Sequence, residues 1–148
     1  MKKILKYVIF CILLVFTGCN NDYYEIKNSD IPSLTVTNDN QKITVKRGGY
    51  SWTVKNTNIT TDTDSPEKIA ENMEGDIVLP NTQLNMKFTQ TPSKVNVIYW
   101  GELKDVEYSF TENYIIVPKE EGIYVFEVAG EWEQGRVSYT IKINVKSN

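Results

Sequence analysis

The chemistry open to this chain is limited by two residue types that are scarce or missing. The 148 residues contain no histidine and two cysteines, Cys11 and Cys19. Ser-His-Asp and Cys-His catalytic groups are therefore excluded, and so is a zinc site built from histidine and cysteine ligands. Catalysis would have to rely on carboxylate, lysine or tyrosine side chains alone, as it does in a minority of enzymes. We expect no enzymatic activity, no cofactor and no metal centre.

One group of carboxylates consists of Asp62, Asp64, Glu67 and Glu71. Their oxygens are of the kind that calcium prefers, and calcium needs about six to eight of them. The spacing fails the EF-hand pattern, because Pro66 and Glu67 stand where that motif requires a ligand and a glycine. The same acids suit the first turn of a helix that begins at Pro66. Helix capping is therefore preferred over a calcium site.

A pair of carboxylates could also serve glycoside hydrolysis, which needs two carboxyl groups roughly 5 to 10 Å apart. Glu131 and Glu133 lie two residues apart on one predicted strand and meet this distance, and Glu120-Glu121 offers a second pair. No other residue supports a hydrolase, and solvated turn charges are the commoner role. A carboxylate-dependent hydrolase is therefore kept only as an alternative function.

Aromatic residues form another candidate site, because sugar rings stack on exposed aromatic faces. Trp100 and Trp132 each lie at the end of a predicted strand, beside a glycine and acidic residues, which favours exposure. Tyr50 and Trp52 alternate with Val54 and are more typical of a core, since each aromatic residue buries about 150 to 250 Å². These two tryptophans together with Tyr50 and Trp52 are the candidate ligand-binding residues, and carbohydrate binding is one use that they allow.

The first 18 residues have the organisation of an export signal. Three lysines within residues 1–6 precede an apolar run over residues 7–16, which at about ten residues is too short to span a bilayer as a helix. The next residues, Phe16-Thr17-Gly18-Cys19, resemble the lipobox of bacterial lipoproteins. The resemblance implies cleavage before Cys19 and a diacylglyceryl group on its sulfur, with a secretory signal or an uncleaved anchor as the alternative. Two acyl chains hold a protein stably on a membrane, so we expect a lipid anchor on the extracytoplasmic face of the cell membrane.

Loss of this leader changes the composition of the chain. Cys11 is removed and Cys19 is capped by lipid, so the mature chain keeps no free thiol and no disulfide. Three of the 16 basic residues are lost and 13 remain against 19 acidic residues, which gives a net charge of −6. An acidic chain without a basic patch is a poor partner for nucleic acid, whose binding depends on cationic side chains.

The mature chain divides into a tether and one domain. Residues 19–32 are polar and lack a periodic apolar pattern, which predicts a flexible tether with a reach of roughly 20 Å. From Ser33 onward apolar and polar residues alternate, as they do in strands with one buried face. The chain is therefore predicted to consist of a signal helix (1–18), a tether (19–32) and a single β-sandwich domain (33–148).

Within the domain the alternating segments predict eight to ten strands, an arrangement typical of an all-β sandwich or barrel. Turn residues separate them, for example Arg47-Gly48-Gly49. The last two strands form a hairpin whose turn needs Gly135, because glycine reaches positive φ without strain. The only helical signal covers about residues 66–73, where Asp64 or Ser65 serves as the cap and Gly75 ends the helix.

The run Glu120-Glu121-Gly122-Ile123-Tyr124-Val125-Phe126 resembles the entry to strand F of immunoglobulin-like domains. The resemblance covers about residues 82–146 and implies an immunoglobulin-like β-sandwich. In it the Tyr124 hydroxyl bonds to backbone, Phe126 replaces the disulfide cysteine, and Trp100 or Tyr99 lies on strand C. No function follows, because this architecture serves many functions.

The pieces GGYSW (48–52), DSPEKI (64–69) and YVFEVAGEWEQGRVSYTIKI (124–143) are similar to a family of small exported or lipid-anchored proteins of Gram-positive bacteria, which carries no assigned activity. The resemblance implies that a hairpin formed by Gly48-Gly49-Tyr50-Ser51-Trp52 and the following helix pack against the C-terminal sandwich.

These observations favour a non-enzymatic binding module that captures a protein or a glycan. The binding surface is expected at loops or at an edge strand next to residues 48–52. A structural or accessory component of an envelope protein assembly is the main alternative. A carbohydrate-binding protein and a carboxylate-dependent hydrolase are further alternatives.

Overall fold

The computed structural model of the protein describes residues 24–39, 41–101, 107–109 and 113–147. The predicted signal helix and Cys19 lie outside the described residues. One α-helix, α1 (Pro66–Glu71), accompanies eleven strands in the described part. The strands are β1 (Leu34–Asn38), β2 (Gln41–Ile43), β3 (Val45–Val54), β4 (Thr57–Thr61), β5 (Asp76–Val78), β6 (Gln83–Phe88), β7 (Lys94–Tyr99), β8 (Glu107–Ser109), β9 (Tyr114–Ile116), β10 (Gly122–Trp132) and β11 (Gly135–Val145).

The strands form two sheets. The smaller sheet has the order β2-β1-β6-β9 and the larger sheet the order β4-β3-β11-β10-β7-β8, and neighbouring strands in both are antiparallel. β5 joins the larger sheet by pairing in parallel with the end of β11. The prediction of an all-β sandwich with one short helix is therefore confirmed. The predicted number of strands is too low, because β4 has the sequence TNITT with a single large apolar residue, Ile59, and shows no alternating pattern.

The core lies between the two sheets and is built from the apolar faces that the alternation predicted. The smaller sheet contributes Leu34, Val36, Ile43, Leu84, Met86 and Ile115 to it, and the larger sheet Trp52, Val78, Val97, Phe126, Val128, Val137, Tyr139, Ile141, Ile143 and Val145. These side chains are buried. Because the buried faces of both sheets are continuous across several strands, burial of apolar surface is the main stabilising term of the fold.

β5 shows one error in the predicted pattern. Ile77 and Leu79 share a parity that predicts a buried face for this pair, whereas in the structure Val78 is 3% exposed and Ile77 is 58% exposed. The reason is the parallel register with β11, which places Val78 beside Val145 and so turns Val78 inward. A shift of one residue exchanges the two faces of a strand, and a strand of three residues contains too few positions to fix its parity.

Five of the last seven strands are placed as in the immunoglobulin-like order. β6 and β9 lie in one sheet and β7, β10 and β11 in the other, as strands B and E and strands C, F and G do. The Tyr124 hydroxyl donates a hydrogen bond to the Glu120 carbonyl oxygen at 3.0 Å, which is the expected tyrosine corner. Tyr99 ends β7 and packs against the buried Phe126, with 5.8 Å between the ring centroids. Tyr99, rather than Trp100, is therefore the strand C residue in the core.

The N-terminal segment is folded from the first described residue, Tyr24. Ile26 packs against the core and Ile31 is 3% exposed. The Tyr139 hydroxyl donates to the Pro32 carbonyl oxygen at 2.7 Å, and burial raises the pKa of Tyr139, which keeps the donor protonated. The described residues of the predicted tether, 24–32, therefore include side chains and backbone groups that pack on the sandwich. Two isolated isoleucines in a polar segment show no period, so the sequence gives no sign that they reach the core.

The predicted helix is confirmed as α1, which packs chiefly on the outer face of the larger sheet. The Ser65 side chain accepts a hydrogen bond from the Lys68 backbone N–H, and Pro66 is the first helical residue. Lys142, on β11, donates to the carbonyl oxygens of Ala70 and Met73 at 2.9 and 2.7 Å. Lys142 has the polar parity of its strand, which predicts a solvent face, but it satisfies carbonyl groups at the end of a helix, where a cation is favourable.

Candidate functional site

The candidate site is organised around a β-bulge in the middle of β3. Arg47 pairs with Tyr139 and Tyr50 pairs with Val137, so Gly48 and Gly49 together lie opposite Ser138. A Cβ atom on Gly48 would lie 2.5 Å from the Ser138 Oγ atom. The absence of a side chain at Gly48 therefore leaves room for the Ser138 hydroxyl group beside the bulge.

This bulge corrects two predictions. Residues 47–49 were predicted as a turn and residues 48–52 as a hairpin, whereas all of them lie within β3, which runs unbroken from Val45 to Val54. The hairpin is the one between β3 and β4, and its turn is Lys55-Asn56. A pair of glycines inside an alternating pattern marks either a turn or a bulge, and the sequence did not distinguish between them.

A cleft of about 290 Å³ opens beside the bulge on the outer face of the larger sheet. β3 contributes Gly49, Tyr50 and Ser51 to its lining, and the adjacent strands and the segment after β4 contribute six further residues with polar side chains. These six are Thr60, Thr61, Asp62, Glu127, Arg136 and Ser138. Residues from four strands therefore surround a single opening next to the segment that the sequence analysis had selected.

The cleft carries charges of both signs. Arg136 is exposed, and neither it nor Asp62 has an ion-pair partner within the described residues. Glu127 is half-buried, and its Oε2 atom accepts a hydrogen bond of 3.1 Å from the indole N–H of Trp100. The carboxylate of Glu127 is thus held in place by an aromatic residue, while the guanidinium of Arg136 is available. Such a lining suits a polar ligand that offers both acceptors and donors.

The four candidate aromatic residues do not converge on one surface. Trp52 is 1% exposed, and its burial removes it from the candidate binding surface. Trp132, which was expected to be exposed, is half-buried against the core and lies edge-on to Trp52, with 5.5 Å between the ring centroids. Its indole N–H donates to the Gln90 carbonyl oxygen at 3.1 Å. Trp132 stands at the end of β10, and its side chain turns inward because it shares the parity of Phe126 and Val128.

The other two aromatic residues lie at or near the cleft. Tyr50 lines it and is half-buried, and the Arg47 guanidinium lies 6.0 Å from the centre of the Tyr50 ring. Trp100 is half-buried next to Glu127, one of the residues of the lining. Of the predicted aromatic set, Trp100 therefore remains beside the cleft, whereas the Tyr50 side chain shares the inward parity of Trp52 and packs against the core.

The acidic residues near α1 serve the helix. The Lys68 ammonium group forms an ion pair with Glu71, and Asp62 and Asp64 are exposed. Across the described ranges no three histidine, cysteine, aspartate or glutamate side chains come together as metal ligands would. Within the same ranges every buried side-chain nitrogen and oxygen atom has a hydrogen-bond partner. Ser65, rather than any of these acids, supplies the side-chain cap of α1, and Glu67 lies in its first turn.

A second cleft of about 280 Å³ lies at the end of α1, lined by Thr44, Lys46 and residues 72–76. Asp76, one of its residues, accepts a hydrogen bond of 2.7 Å from the Thr44 backbone N–H through Oδ2. Gly75 has a φ of +87°, and a Cβ atom there would lie 3.3 Å from the Lys142 Cγ atom. This cleft borders the contacts that fix the end of the helix, and those contacts explain its polar groups.

The residues that sequence reasoning missed at the first cleft are Glu127, Arg136 and Ser138. They lie on the outer face of β10 and β11, which the alternation assigned to solvent. The one signal in the sequence that pointed to them was the Gly48-Gly49 pair, because adjacent glycines in a strand indicate a bulge or a close approach. The sequence does not show which strand lies beside the bulge, because this depends on the order of the strands in the sheet.

The chain matches no protein-family model, no curated protein and no solved structure. No helix within the described ranges combines the length and the apolar character needed to cross a membrane.

Proposed function

We propose that the protein is an extracytoplasmic lipoprotein, held on the membrane by lipid on Cys19, whose sandwich binds a ligand and catalyses no reaction. The cleft beside the Gly48-Gly49 bulge is the observation that carries the binding part of this proposal. The leader and the residues Phe16-Thr17-Gly18-Cys19 support the anchoring part.

A binding role fits the side chains that line the cleft. Hydroxyl groups come from Ser51, Thr60 and Ser138. Arg136 supplies a permanent positive charge, and the carboxylates of Asp62 and Glu127 supply acceptors. Hydroxyl and carboxylate groups without a histidine or a thiol offer no activated nucleophile of the common kinds. The ligand that matches this lining is small, polar and rich in hydroxyl or amide groups, as a glycan or a short peptide of the envelope is.

Anchoring predicts that Cys19→Ala abolishes incorporation of a palmitate analogue and releases the protein from the membrane fraction. The reason is that two acyl chains provide about 0.8 kcal/mol per buried methylene group, which no polar contact replaces. The measurement is metabolic labelling followed by fractionation of cells that express the full chain. Cys11→Ala is the matched control and should leave both readouts unchanged. Equal labelling or equal membrane retention of Cys19→Ala would show that the anchor lies elsewhere.

The cleft predicts a specific effect of Arg136→Ala on ligand binding. The probes are soluble oligosaccharides of N-acetylglucosamine and soluble cell-wall peptides, titrated calorimetrically into the purified protein. We expect Arg136→Ala to weaken binding of the recognised probe by about tenfold or more, because a guanidinium donates several charge-assisted hydrogen bonds. Lys94→Ala, which removes an exposed cation of β7 in the same sheet, should have no effect. Equal loss in both variants would assign the effect to net charge and contradict a site in the cleft.

The alternative function, a component of an envelope protein assembly, makes a different prediction for the same variants. A protein partner would cover a wide area and tolerate the loss of one cleft residue, whereas a small ligand would not. Crosslinking in membranes followed by recovery of one stoichiometric protein, unchanged by Arg136→Ala, would favour assembly over ligand capture.

A further inference from the structure

β4 is an edge strand that lacks the usual protection against pairing. It lies at one end of the larger sheet, and among the described residues it pairs with β3 on one side only. Its five residues, Thr57–Thr61, include no charged residue, no proline and no glycine. Edge strands are ordinarily protected by charges, prolines, bulges or short length. The other strands of the described residues that have a free edge, β2, β5, β8 and β9, contain three residues each.

The side chains of β4 leave this edge open. The Asn58 Nδ2 atom donates to the Thr53 Oγ1 atom at 2.9 Å, and the Thr60 Oγ1 atom donates to the Asn58 Oδ1 atom at 3.2 Å. These bonds run along β4 or back to β3, and none crosses the free edge. Ile59 faces inward and packs against the core. The backbone groups on the free side of β4 are therefore available to another strand.

The pattern of backbone groups favours one way of adding a strand. Val54 and Thr57 flank the two-residue turn and pair with each other. Because the backbone groups of successive residues alternate between the two sides of a strand, the N–H and C=O groups of Asn58 and Thr60 point to the free side of β4. To exchange hydrogen bonds in an antiparallel pair, residues whose backbone groups point to the free side must lie opposite each other. A second β4 meets this condition when Asn58 lies opposite Thr60 of the other copy and Ile59 lies opposite Ile59.

The charges that flank β4 are complementary under the same symmetry. Lys55 precedes the strand, and Asp62 and Asp64 follow it, and all three are exposed. None of them has an ion-pair partner within the described residues. An antiparallel arrangement centred on Ile59 brings Lys55 of each copy next to Asp62 and Asp64 of the other. The symmetric pair therefore contains two attractive contacts and no repulsive one at its ends.

We propose that β4 pairs antiparallel with β4 of a second copy of this chain, about a two-fold axis beside Ile59. The two larger sheets then continue across the axis, and the backbone groups of Asn58 and Thr60 become hydrogen-bonded. This interface goes beyond the proposed ligand cleft, with which it shares Thr60 and Asp62. Two-fold pairing also closes the edge, because each copy protects the edge of the other.

The register is tested by disulfide crosslinking of full-length chains in the membrane fraction. One copy carries Asn58→Cys and the other Thr60→Cys, and the two are expressed together. Residues opposite each other in an antiparallel pair have Cα atoms about 5.5 Å apart or less, which a disulfide spans. We expect a crosslinked dimer under mild oxidation. The matched control is Thr35→Cys with Thr37→Cys on β1, which has neighbours on both sides and should give no dimer. Equal dimer yield from both pairs would overturn the proposal.

The charges are tested by reversal and exchange in the same crosslinking assay. Lys55→Glu in both copies places acids at both ends of the pair, and we expect the dimer yield to fall by about fivefold or more, because like charges opposite each other destabilise strand pairs. Asp62→Lys with Asp64→Lys in both copies should have the same effect. Expression of the Lys55→Glu chain together with the Asp62→Lys, Asp64→Lys chain restores opposite charges at both ends of the pair and should restore the dimer yield. A dimer yield that is the same in all three combinations would rule out this symmetric pairing and indicate that a different strand pairs with the edge of β4.

Discussion

Replacing Trp52 with alanine is expected to lower the free energy of unfolding by about 3 to 5 kcal/mol, the loss typical of deleting a large buried aromatic side chain. Trp52 is 1% exposed and packs edge-on against Trp132, whose ring in turn lies 5.7 Å from that of Phe88. The substitution would leave a cavity between the sheets and remove these aromatic contacts. The measurement is urea unfolding followed by circular dichroism.

Trp100→Ala is the matched control for this prediction. Trp100 is half-buried on the outer face of the larger sheet, so its loss opens no cavity in the core, and we expect a cost of about 1 kcal/mol or less. Comparable losses for the two tryptophans would contradict the assignment of Trp52 to the core. The same pair of variants separates stability from binding, because only Trp100 is next to the cleft through Glu127.

Gly135→Ala is expected to be the second most damaging change, with a loss of several kcal/mol or failure to fold. Gly135 begins β11 with a φ of +151°, which confirms the positive φ predicted from the sequence. A Cβ atom at this position would lie 1.9 Å from the Ser51 backbone oxygen, so the β3 backbone would have to move. Displacement of packed backbone and strained φ both destabilise. Thermal unfolding of the purified variant measures the effect.

Gly122→Ala isolates the contribution of the backbone angle. Gly122 has a φ of +156°, but a Cβ atom there would meet nothing closer than 3.6 Å, at the Tyr124 ring. We expect this variant to lose about 1 kcal/mol from backbone strain alone. If Gly135→Ala were no worse than Gly122→Ala, the close approach of β3 and β11 at Ser51 would not be present in solution. Because Ser51 also lines the cleft, the larger loss should be accompanied by loss of ligand binding.

The parts of the fold that could be predicted are those in which several local signals agree. The hairpin of β10 and β11 combines long alternation with a glycine turn, and α1 combines a cap, a proline at its first position and a glycine after its end. The tyrosine corner at Tyr124 was predictable because it depends on a short run of residues. In each case neighbours in sequence carry the information, so tertiary contacts had little to override.

The parts that could not be predicted depend on partners far away in the sequence. Residues 24–32 pack on the sandwich because Tyr139 needs an acceptor and finds it at Pro32, more than a hundred residues earlier. Lys142 leaves solvent because α1 presents its last carbonyl groups directly above β11. The strand β4 is held mainly by pairing with β3 and shows no apolar alternation. Residue patterns report which face of an element is apolar, but they do not report which element covers the other face.

The candidate site illustrates the same limit. The sequence analysis selected the region of residues 48–52 from its glycines and aromatic residues, and the cleft does lie beside it. It did not identify Arg136 or Glu127, because strands that are distant in sequence bring them to the bulge. Trp52 lies in the core, as its alternation with Val54 favoured, whereas Trp132 was expected to be exposed and packs against the core instead.

The position of β11 in the larger sheet affects how the protein folds during synthesis. This strand, residues 135–145, is the last of the described strands, yet it lies in the interior of the larger sheet with β10 on one side and β3 and β5 on the other. β11 is synthesised after all of its neighbours. The larger sheet therefore lacks an interior strand until residue 145 has been synthesised. Pairings this distant in sequence also form slowly. Completion of the larger sheet therefore waits until synthesis has passed residue 145, whereas the four strands of the smaller sheet all precede residue 117 and can pair earlier.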